Sequence, residues 1–388
     1  MPDEELPKKK KHGWIRVLLS LAVIILLSYI TISLISGSGP SLDWLIDMFS
    51  PEEPLEIAEE FHFNIGRSRV FADLDNAIAA AGSLGIQVID YGGTETLRDS
   101  VQMSSPAINA VNGRAVAFDI GGVAARVFSA EGILASITTN GQIVSASVNP
   151  NGWFAICTQE SGGFKGNASV YNDEGDLKYR VSLSSGYILS AILSPDNTSL
   201  AVLNLTDFGS RITFYHDLEK EEADKTFDLP GELIIDIQYL ENGDVLAITT
   251  DSLLIVDSRD DDGWELYGFS GMRLGGYAIS DNYIALHLLD FGIGHRGRLL
   301  IVDLFGNLFG EVTIERELIS MSFRDGYLAA MLSDGLVFYD RGLVEIPQSS
   351  ESISAAGVSR ILALDRDMAL IAGDRFAVII RSSTEIDN

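Results

Sequence analysis

The sequence predicts an all-β protein, an eight-bladed β-propeller preceded by a single N-terminal transmembrane helix. Two repeated patterns that share one period predict the propeller, and one long apolar run predicts the helix. Apolar residues make up 46% of the 388 residues, which is enough for a large core. Large all-β folds of this length can form a single domain.

The predicted transmembrane helix spans residues 17–36, a run without a charged side chain. A run of this length rises about 30 Å, the thickness of a bilayer's hydrocarbon core. Lys8–Lys11 and Arg16 precede it, whereas the first charges after it are Asp43 and Asp47. The positive-inside rule therefore places the N-terminus in the cytoplasm and the rest of the chain outside. A cleaved signal peptide is the alternative, but its apolar region is usually only about 7–15 residues long.

The apolar run also sets the predicted domain boundaries. After it, apolar residues recur with helical spacing from Ser41 to Phe49, which predicts a short amphipathic helix within a linker. The predicted segments are a basic cytoplasmic tail (1–16), the transmembrane helix (17–36), the linker (37–58) and the propeller ectodomain (59–388).

A turn pair followed by an apolar strand recurs eight times, with a period of about 42 residues. Asn-Gly, Asp-Gly and Asp-Asn pairs reach positive φ at little cost, so they close tight hairpins. The eight pairs are Asp75-Asn76, Asn112-Gly113, Asn151-Gly152, Asp196-Asn197, Asn242-Gly243, Asp281-Asn282, Asp325-Gly326 and Arg366-Asp367.

An apolar strand that ends in a polar residue repeats with the same period. A period of about 40–45 residues with four short strands per unit is typical of a β-propeller. The polar residues are Asp90, Ser129, Asn172, His216, Asp257, Asp303, Asp340 and Arg381.

The last repeat lacks an outer strand, because only a polar tail follows residues 376–380. The segment Phe61–Ile65 alternates apolar and polar residues just before the first repeat. We expect this segment to pair with the last blade and close the ring, which removes exposed sheet edges.

The repeats resemble those of a known group of propellers. Ser194-Pro195-Asp196-Asn197, followed by Thr198–Val202, resembles the Ser-Pro-Asp-Gly hairpins of WD40-like and TolB-like propellers. Strands that end in Tyr-Asp or Val-Asp resemble their third strands, although the Trp-Asp dipeptide of eukaryotic WD40 repeats is absent. The resemblance covers nearly all of residues 60–383. The whole plan resembles the uncharacterised membrane-anchored propeller families of Gram-positive bacteria, which implies a cell-envelope location and no established activity.

Charge and cysteine content exclude several classes of protein. The net charge of -28 argues against nucleic-acid binding, which needs a basic surface. Cys157 is the single cysteine, so the chain cannot form an internal disulfide bond. It lies in an apolar run and is predicted to be a small buried hydrophobic residue.

Short motifs give no prediction of a catalytic residue, a cofactor or a metal site. Gly292–Gly297 fits G-x-G-x-x-G, but an apolar strand follows it instead of the helix that a dinucleotide site requires. Ser258–Gly263 partly fits a calcium loop, but Phe269 stands where the closing glutamate belongs. We interpret the first segment as a long inter-strand loop and the second as a solvated hairpin tip.

One group of residues remains as a candidate binding site. In a propeller, the loops from second to third strands lie on the same face as the connections between blades. Three of these loops, at 161–167, 206–211 and 290–298, combine glycine with cationic and aromatic residues. Such loops suit an anionic or glycan ligand or a protein partner, and the alternative is that they brace neighbouring blades. The candidate binding residues are Phe164, Lys165, Phe208, Arg211, Phe291, His295, Arg296 and Arg298.

These observations favour a non-catalytic recognition or scaffolding domain, tethered to the cell membrane and displayed in the cell envelope. Its partner would be an envelope protein or an anionic or glycan ligand. The step from fold to function is an analogy. The alternative is an envelope hydrolase or lyase that acts on cell-wall glycan at the central channel. A sensor is a third possibility, but its short cytoplasmic tail would need a separate signalling partner.

Overall fold

The computed structural model describes residues 55–159, 165–218, 223–260, 262–280, 282–292, 294–346, 355–365, 368–373 and 376–382. The predicted cytoplasmic tail, transmembrane helix and amphipathic helix lie outside these residues. Within them, no helix is long and apolar enough to cross a membrane.

The described residues form eight antiparallel sheets, which are the blades of the predicted propeller. Strand β1 (Leu55–Phe61) belongs to the last blade. Blade 1 contains β2 (Val70–Asp73), β3 (Ala77–Gly82), β4 (Gly85–Asp90) and β5 (Glu95–Ser100). Blade 2 contains β6 (Pro106–Val111), β7 (Arg114–Asp119), β8 (Ala124–Ser129) and β9 (Gly132–Thr138). Blade 3 contains β10 (Ile143–Val148), β11 (Phe154–Gln159), β12 (Gly166–Tyr171) and β13 (Leu177–Leu183).

The remaining blades repeat this plan. Blade 4 contains β14 (Tyr187–Leu193), β15 (Leu200–Thr206), β16 (Gly209–Tyr215) and β17 (Lys225–Pro230). Blade 5 contains β18 (Ile234–Tyr239), β19 (Val245–Thr249), β20 (Ser252–Val256) and β21 (Gly263–Gly268). Blade 6 contains β22 (Arg273–Ser280), β23 (Tyr283–Leu289), β24 (Gly297–Asp303) and β25 (Leu308–Ile314). Blade 7 contains β26 (Leu318–Arg324), β27 (Tyr327–Leu332) and β28 (Gly335–Tyr339), and blade 8 contains β29 (Val358–Asp365), β30 (Met368–Gly373), β31 (Ala377–Ser382) and β1.

The predicted turn pairs join the first and second strands of the blades. Six of the eight pairs lie wholly within the described residues, and each occupies this connection. Asn112 and Gly113 have φ values of 48° and 71°, and Asp325 and Gly326 have φ values of 50° and 82°. Positive φ at both central residues matches the twist of the flanking strands, so the hairpin prediction is confirmed.

The polar residue at the end of the third strand shapes the turn to the outer strand. Asp303 Oδ1 accepts hydrogen bonds from the amides of Phe305 (2.9 Å) and Asn307 (2.8 Å). Gly306 adopts a φ of 81° in the same turn. Asp90 binds the amides of Gly92 and Thr94 in the same way. An aspartate side chain that replaces a backbone acceptor favours such a turn, which explains why this polar position recurs.

The ring is closed by β1, which pairs antiparallel with β31, with Glu60 opposite Val378. Closure by an N-terminal strand was predicted, but for Phe61–Ile65, and this position was wrong. Only Phe61 belongs to the strand, which begins at Leu55, inside the range predicted as linker. Phe63 and Ile65 are instead buried between blades 8 and 1. Their alternation therefore reflects packing between blades and not strand pairing.

The core consists of eight apolar clusters, each formed largely by two adjacent blades. Between blades 4 and 5, Leu203 and Phe214 pack with Ile237 and Val245. Each blade buries both of its faces, so its second and third strands read as continuous apolar runs.

The strand order defines two faces of the propeller. The upper face carries the turns from second to third strands and the connections between blades. Hydrogen bonds join such a turn to a connection between blades in blade 4, where the Gly231 amide donates to Phe208 O (2.7 Å). The lower face carries the turns from first to second and from third to outer strands. Because β1 is an outer strand antiparallel to β31, it begins at the lower face with Leu55 and ends at the upper face.

Candidate functional site

The predicted site residues lie on or near the upper face, except Phe164, which is outside the described residues. Lys165 precedes β12, and His295 and Arg296 lie in the turn between β23 and β24. Arg211 and Arg298 belong to the third strands β16 and β24. Segment 206–211 is not a long loop, because β15 and β16 extend to Thr206 and Gly209 and leave a two-residue turn.

The turn in blade 4 projects an aromatic side chain into solvent. Phe208 is 82% exposed at the tip of the β15–β16 hairpin. Thr206 Oγ1 accepts the Phe208 amide (3.2 Å) and donates to Gly209 O (2.9 Å), so the tip is held by local hydrogen bonds. A cleft of about 330 Å³ lies beside it, lined by residues that include Ser185, Arg211 and Pro230. Blade 4 therefore presents an apolar tip beside a small open cleft.

The turn in blade 6 presents a second exposed aromatic. Phe291 is 84% exposed, in the turn that also contains His295 and Arg296. Arg296 Nε lies 3.5 Å from Asp290 Oδ2, and His295 Nε2 lies 3.9 Å from Glu317 Oε2. Ion pairs this exposed and this long contribute little to stability, so both side chains can turn to a partner.

Two of the predicted cations have partners within their own blades. Arg211 Nε and Nη2 donate to the Asp228 carboxylate at 2.6 Å and 3.0 Å, across the β16–β17 pair. Arg298 Nη1 donates to Glu311 Oε1 at 2.8 Å. These pairs join adjacent strands of one blade, so they are not the predicted bracing between neighbouring blades. Lys165 is different, because its Nζ lies 5.9 Å from the centre of the Tyr187 ring in the next blade.

Sequence reasoning did not identify most of the exposed apolar residues of the upper face. Ile235 and Ile319 sit at β-bulges, where the inner strand shifts register against the second strand. A bulged residue leaves the regular alternation, which explains why such an isoleucine can be exposed. The additional exposed residues are Leu84, Ile120, Val123, Tyr187, Leu233, Ile235 and Ile319.

The inner strands also bring polar groups to the central channel. After the bulge of β18, Asp236 Oδ2 accepts a hydrogen bond from the Tyr277 hydroxyl of blade 6 (2.9 Å). Burial raises the pKa of Asp236, and this hydrogen bond opposes the shift. Burial lowers the pKa of Arg360 of blade 8, and Tyr277 opposes that shift electrostatically. This Asp–Tyr–Arg set is the channel cluster.

Metal and thiol chemistry find little support in the part of the chain that the structure describes. It contains no group of three or more His, Cys, Asp or Glu side chains placed to hold a metal ion. Cys157 is buried in β11, and burial raises its pKa to about 12. A thiol that stays protonated is a poor nucleophile.

The sequence profile of a family of unknown function, DUF5711, matches residues 54–345. The chain belongs to this family. The match begins at the closing strand β1 and ends in the turn after β28, so it covers most of the propeller. No curated protein matches the chain significantly.

Solved structures with the same fold include three propellers. The C-terminal WD40 domain of Sif2 shares 11% identity, with a TM-score of 0.61 over 86% of this chain and 100% of that domain. The WD40 domain of SCAP from fission yeast shares 14% identity, with a TM-score of 0.57 over 86% of this chain and 99% of its own. BamB from Moraxella catarrhalis shares 11% identity, with a TM-score of 0.55 over 86% of this chain and 99% of its own. At these identities the likeness concerns the fold alone, and it confirms the predicted WD40-like propeller.

Proposed function

We propose that this protein is a non-catalytic recognition or scaffolding domain that binds an envelope protein on its upper face. It is anchored by residues 17–36, with the N-terminus in the cytoplasm and the propeller outside. The charge asymmetry around the apolar run supports this topology. The WD40-like fold is compatible with recognition, although the same fold carries many functions.

The observation that carries the proposal is the exposure of Phe208 and Phe291 on one face. Each side chain is more than four-fifths exposed at a turn tip, where folding gains almost nothing from an aromatic ring. Aromatic residues of this kind supply much of the binding energy at protein interfaces. Lys165 and Arg296 add positive charge on the same face, and His295 adds a polar ring, which would suit an acidic rim on the partner.

The proposal separates the predicted site residues into two roles. Phe208, Phe291, Lys165, His295 and Arg296 face solvent and are assigned to the partner. Phe164 belongs with them by its sequence position. Arg211 and Arg298 are assigned to holding the outer strand of their own blade, because their guanidinium groups already bind carboxylates of that strand.

Photo-crosslinking in cells tests the proposal. A crosslinking amino acid is placed at position 208 or 291 of the full-length chain, and at position 305 as the control. Phe305 is 88% exposed but lies on the lower face, in the β24–β25 turn. We expect a protein adduct from 208 and 291 that the control does not give. Equal protein adducts at all three positions, or none at 208 and 291, would contradict the proposal.

The channel cluster supports an envelope enzyme as the second candidate. A carboxylate with a raised pKa can act as a general acid or base. Hydrolysis of a glycan usually requires two carboxylates, whereas Asp236 is hydrogen-bonded to Tyr277, and Arg360 acts electrostatically on Tyr277. The test is release of soluble fragments from cell-wall glycan by the purified chain. An enzyme would lose this activity in Asp236→Asn and keep it in Asp340→Asn, which alters a lower-face turn.

A further inference from the structure

A second exposed apolar surface lies at the lower rim of blades 5, 6 and 7. It contains the most exposed large apolar residue that the described part of the chain offers, Phe305 at 88%. Trp264 is half exposed at the start of the outer strand of blade 5. We call this surface the lower rim patch, and its residues are Trp264, Phe305, Leu308, Phe309 and Val344.

The patch is continuous from blade to blade. The turn of blade 6 lies against the outer strand of blade 5, since a Cβ at Gly306 would lie 2.6 Å from Leu266 O. Gly310 of blade 6 likewise contacts the backbone of Gly342 in blade 7. The Arg341 guanidinium lies over the Phe309 ring at 5.1 Å. The exposed rings and aliphatic side chains therefore share one edge of the propeller.

The fold does not require an aromatic residue at the tip of this patch. The β24–β25 turn is held by the Asp303 carboxylate and the backbone of Phe305 and Asn307. The corresponding turns of blades 1 and 3 have Gly92 and Glu174 at this position. A phenylalanine side chain that takes no part in holding its turn and lies in an exposed apolar patch indicates an interaction site.

The strand polarity indicates what covers the patch. The chain enters the propeller at Leu55 at the lower face of blade 8, the neighbour of blade 7. Residues 37–54 separate Leu55 from the predicted transmembrane run, a reach of at most about 60 Å. A second copy of the chain is disfavoured, because a net charge of -28 makes copies repel each other. Tryptophan favours the lipid–water interface, and phenylalanine and leucine are typical of apolar surfaces that insert into it.

We propose that the lower rim patch inserts into the interfacial layer of the bilayer to which the chain is anchored. This inference rests on the membrane anchoring proposed above. Side chains at such a boundary are buried by about 5–10 Å, which a projecting turn can reach. The carboxylates of Asp340, which accepts the Val344 amide, and of Glu345 outnumber the Arg341 guanidinium on Phe309 and would repel anionic headgroups, so the patch fits zwitterionic lipid. The upper face then points away from the membrane, where a partner can reach it.

Depth-dependent quenching tests the inference on the full-length chain in phosphatidylcholine vesicles. The variants Phe305→Cys and Phe208→Cys are each labelled with an environment-sensitive fluorophore. Native Cys157 is 1% exposed with a pKa raised to about 12, so it does not react in the folded chain. We expect a blue-shifted probe at 305 that loses emission with spin-labelled lipid, and an unaffected probe at 208. Added phosphatidylglycerol should weaken the quenching at 305.

Flotation of the vesicles separates this inference from the proposed anchoring. If the chain floats with the vesicles but the probe at 305 is not quenched, the inference is wrong and the anchoring stands. If the chain does not float, both are wrong. Equal quenching at 305 and 208 would also overturn the inference, because the propeller would then have no preferred orientation. A protein adduct from a crosslinker at 305 would assign the patch to a protein instead.

Discussion

Arg324, at the end of the inner strand of blade 7, forms an ion pair with Asp73 on the inner strand of blade 1. Blade 8 lies between these two blades, so the pair spans the inner edge of the blade that closes the ring. The same guanidinium lies 3.2 Å from Asp75, and Asp73 also accepts the Tyr91 hydroxyl at 2.6 Å. The pair therefore supports ring closure at the lower face.

Replacing Arg324 should weaken the ring. Arg324→Met leaves the mostly buried Asp73 carboxylate without its cation, and we expect a loss of about 2 kcal/mol in the free energy of unfolding. Denaturant unfolding of the full-length chain in detergent would measure it. Arg316→Met is the matched control, because the Arg316–Asp334 pair is more exposed and contributes about 0–1 kcal/mol. Equal losses in both variants would show that Arg324 has no special part in closure.

Buried and exposed phenylalanines should differ sharply in their effect on stability. Phe214 is fully buried between blades 4 and 5, so Phe214→Ala should cost about 3–5 kcal/mol. Phe208→Ala, Phe291→Ala and Phe305→Ala should each change stability by less than about 0.5 kcal/mol. Thermal unfolding of the four variants provides the comparison. A large loss in any exposed variant would indicate that its ring supports the fold and not a partner.

Leu343 adopts a φ of 56° in the turn after the third strand of blade 7, where the corresponding turns of blades 1, 3 and 6 have glycine. Leu343→Gly removes a strain of about 1–2 kcal/mol but also a buried side chain worth about 2–5 kcal/mol. We expect a net loss of stability of about 1–3 kcal/mol by denaturant unfolding. Gly306→Ala, at a φ of 81° in blade 6, should also destabilise, since its Cβ would meet Leu266 O. A stabilised Leu343→Gly variant would show that the strain outweighs the packing.

His287 should make the stability depend on pH. It is buried in β23, and burial, with a smaller contribution from Arg273, lowers its pKa. Below the unfolded pKa of about 6.5 the unfolded chain binds a proton that the folded chain does not. Stability is therefore full above that pH and falls as the pH drops towards the folded pKa. The slope from one group is at most about 1.4 kcal/mol per pH unit.

The variant His287→Asn isolates this effect. The difference in unfolding free energy between the wild type and the variant should shrink as the pH falls from 7.5 to 5, because only the wild type loses the histidine contribution. The carboxylates titrate in both proteins and cancel. A difference that stays constant over this range would mean that His287 is freely protonated in the fold.

The repeats made the fold predictable from sequence, because each marker has a local physical cause. Asn112-Gly113 needs only its own backbone preference to turn, and Asp303 fixes its turn through amides two and four residues later. The closing strand was placed about six residues too late. Phe63 and Ile65 alternate with polar residues because they are buried between blades. A segment that packs between blades and a strand that pairs within a sheet can show the same alternation.

The candidate site was less predictable than the fold. The partner of Arg211 is Asp228, and that pairing depends on the register of β16 with β17, which composition does not reveal. The exposure of Ile235 depends on a bulge that no local motif marks. Phe208 and Phe291 could be proposed because glycine-rich turns carry them, whereas Phe305 lies in a turn that resembles its counterparts in other blades.

Blade 8 combines the first strand of the propeller with its last three strands, so this blade is completed late in folding. Strand β1 is among the first parts of the propeller to be synthesised, yet its partner β31 is made after seven blades have been completed. Until then β1 is an unpaired strand, the kind of segment that misfolds or recruits other chains. Among the described strands, the pairing most distant in sequence is therefore also the last to form. Newly made chains therefore stay exposed to aggregation until β31 has been synthesised and can pair with β1.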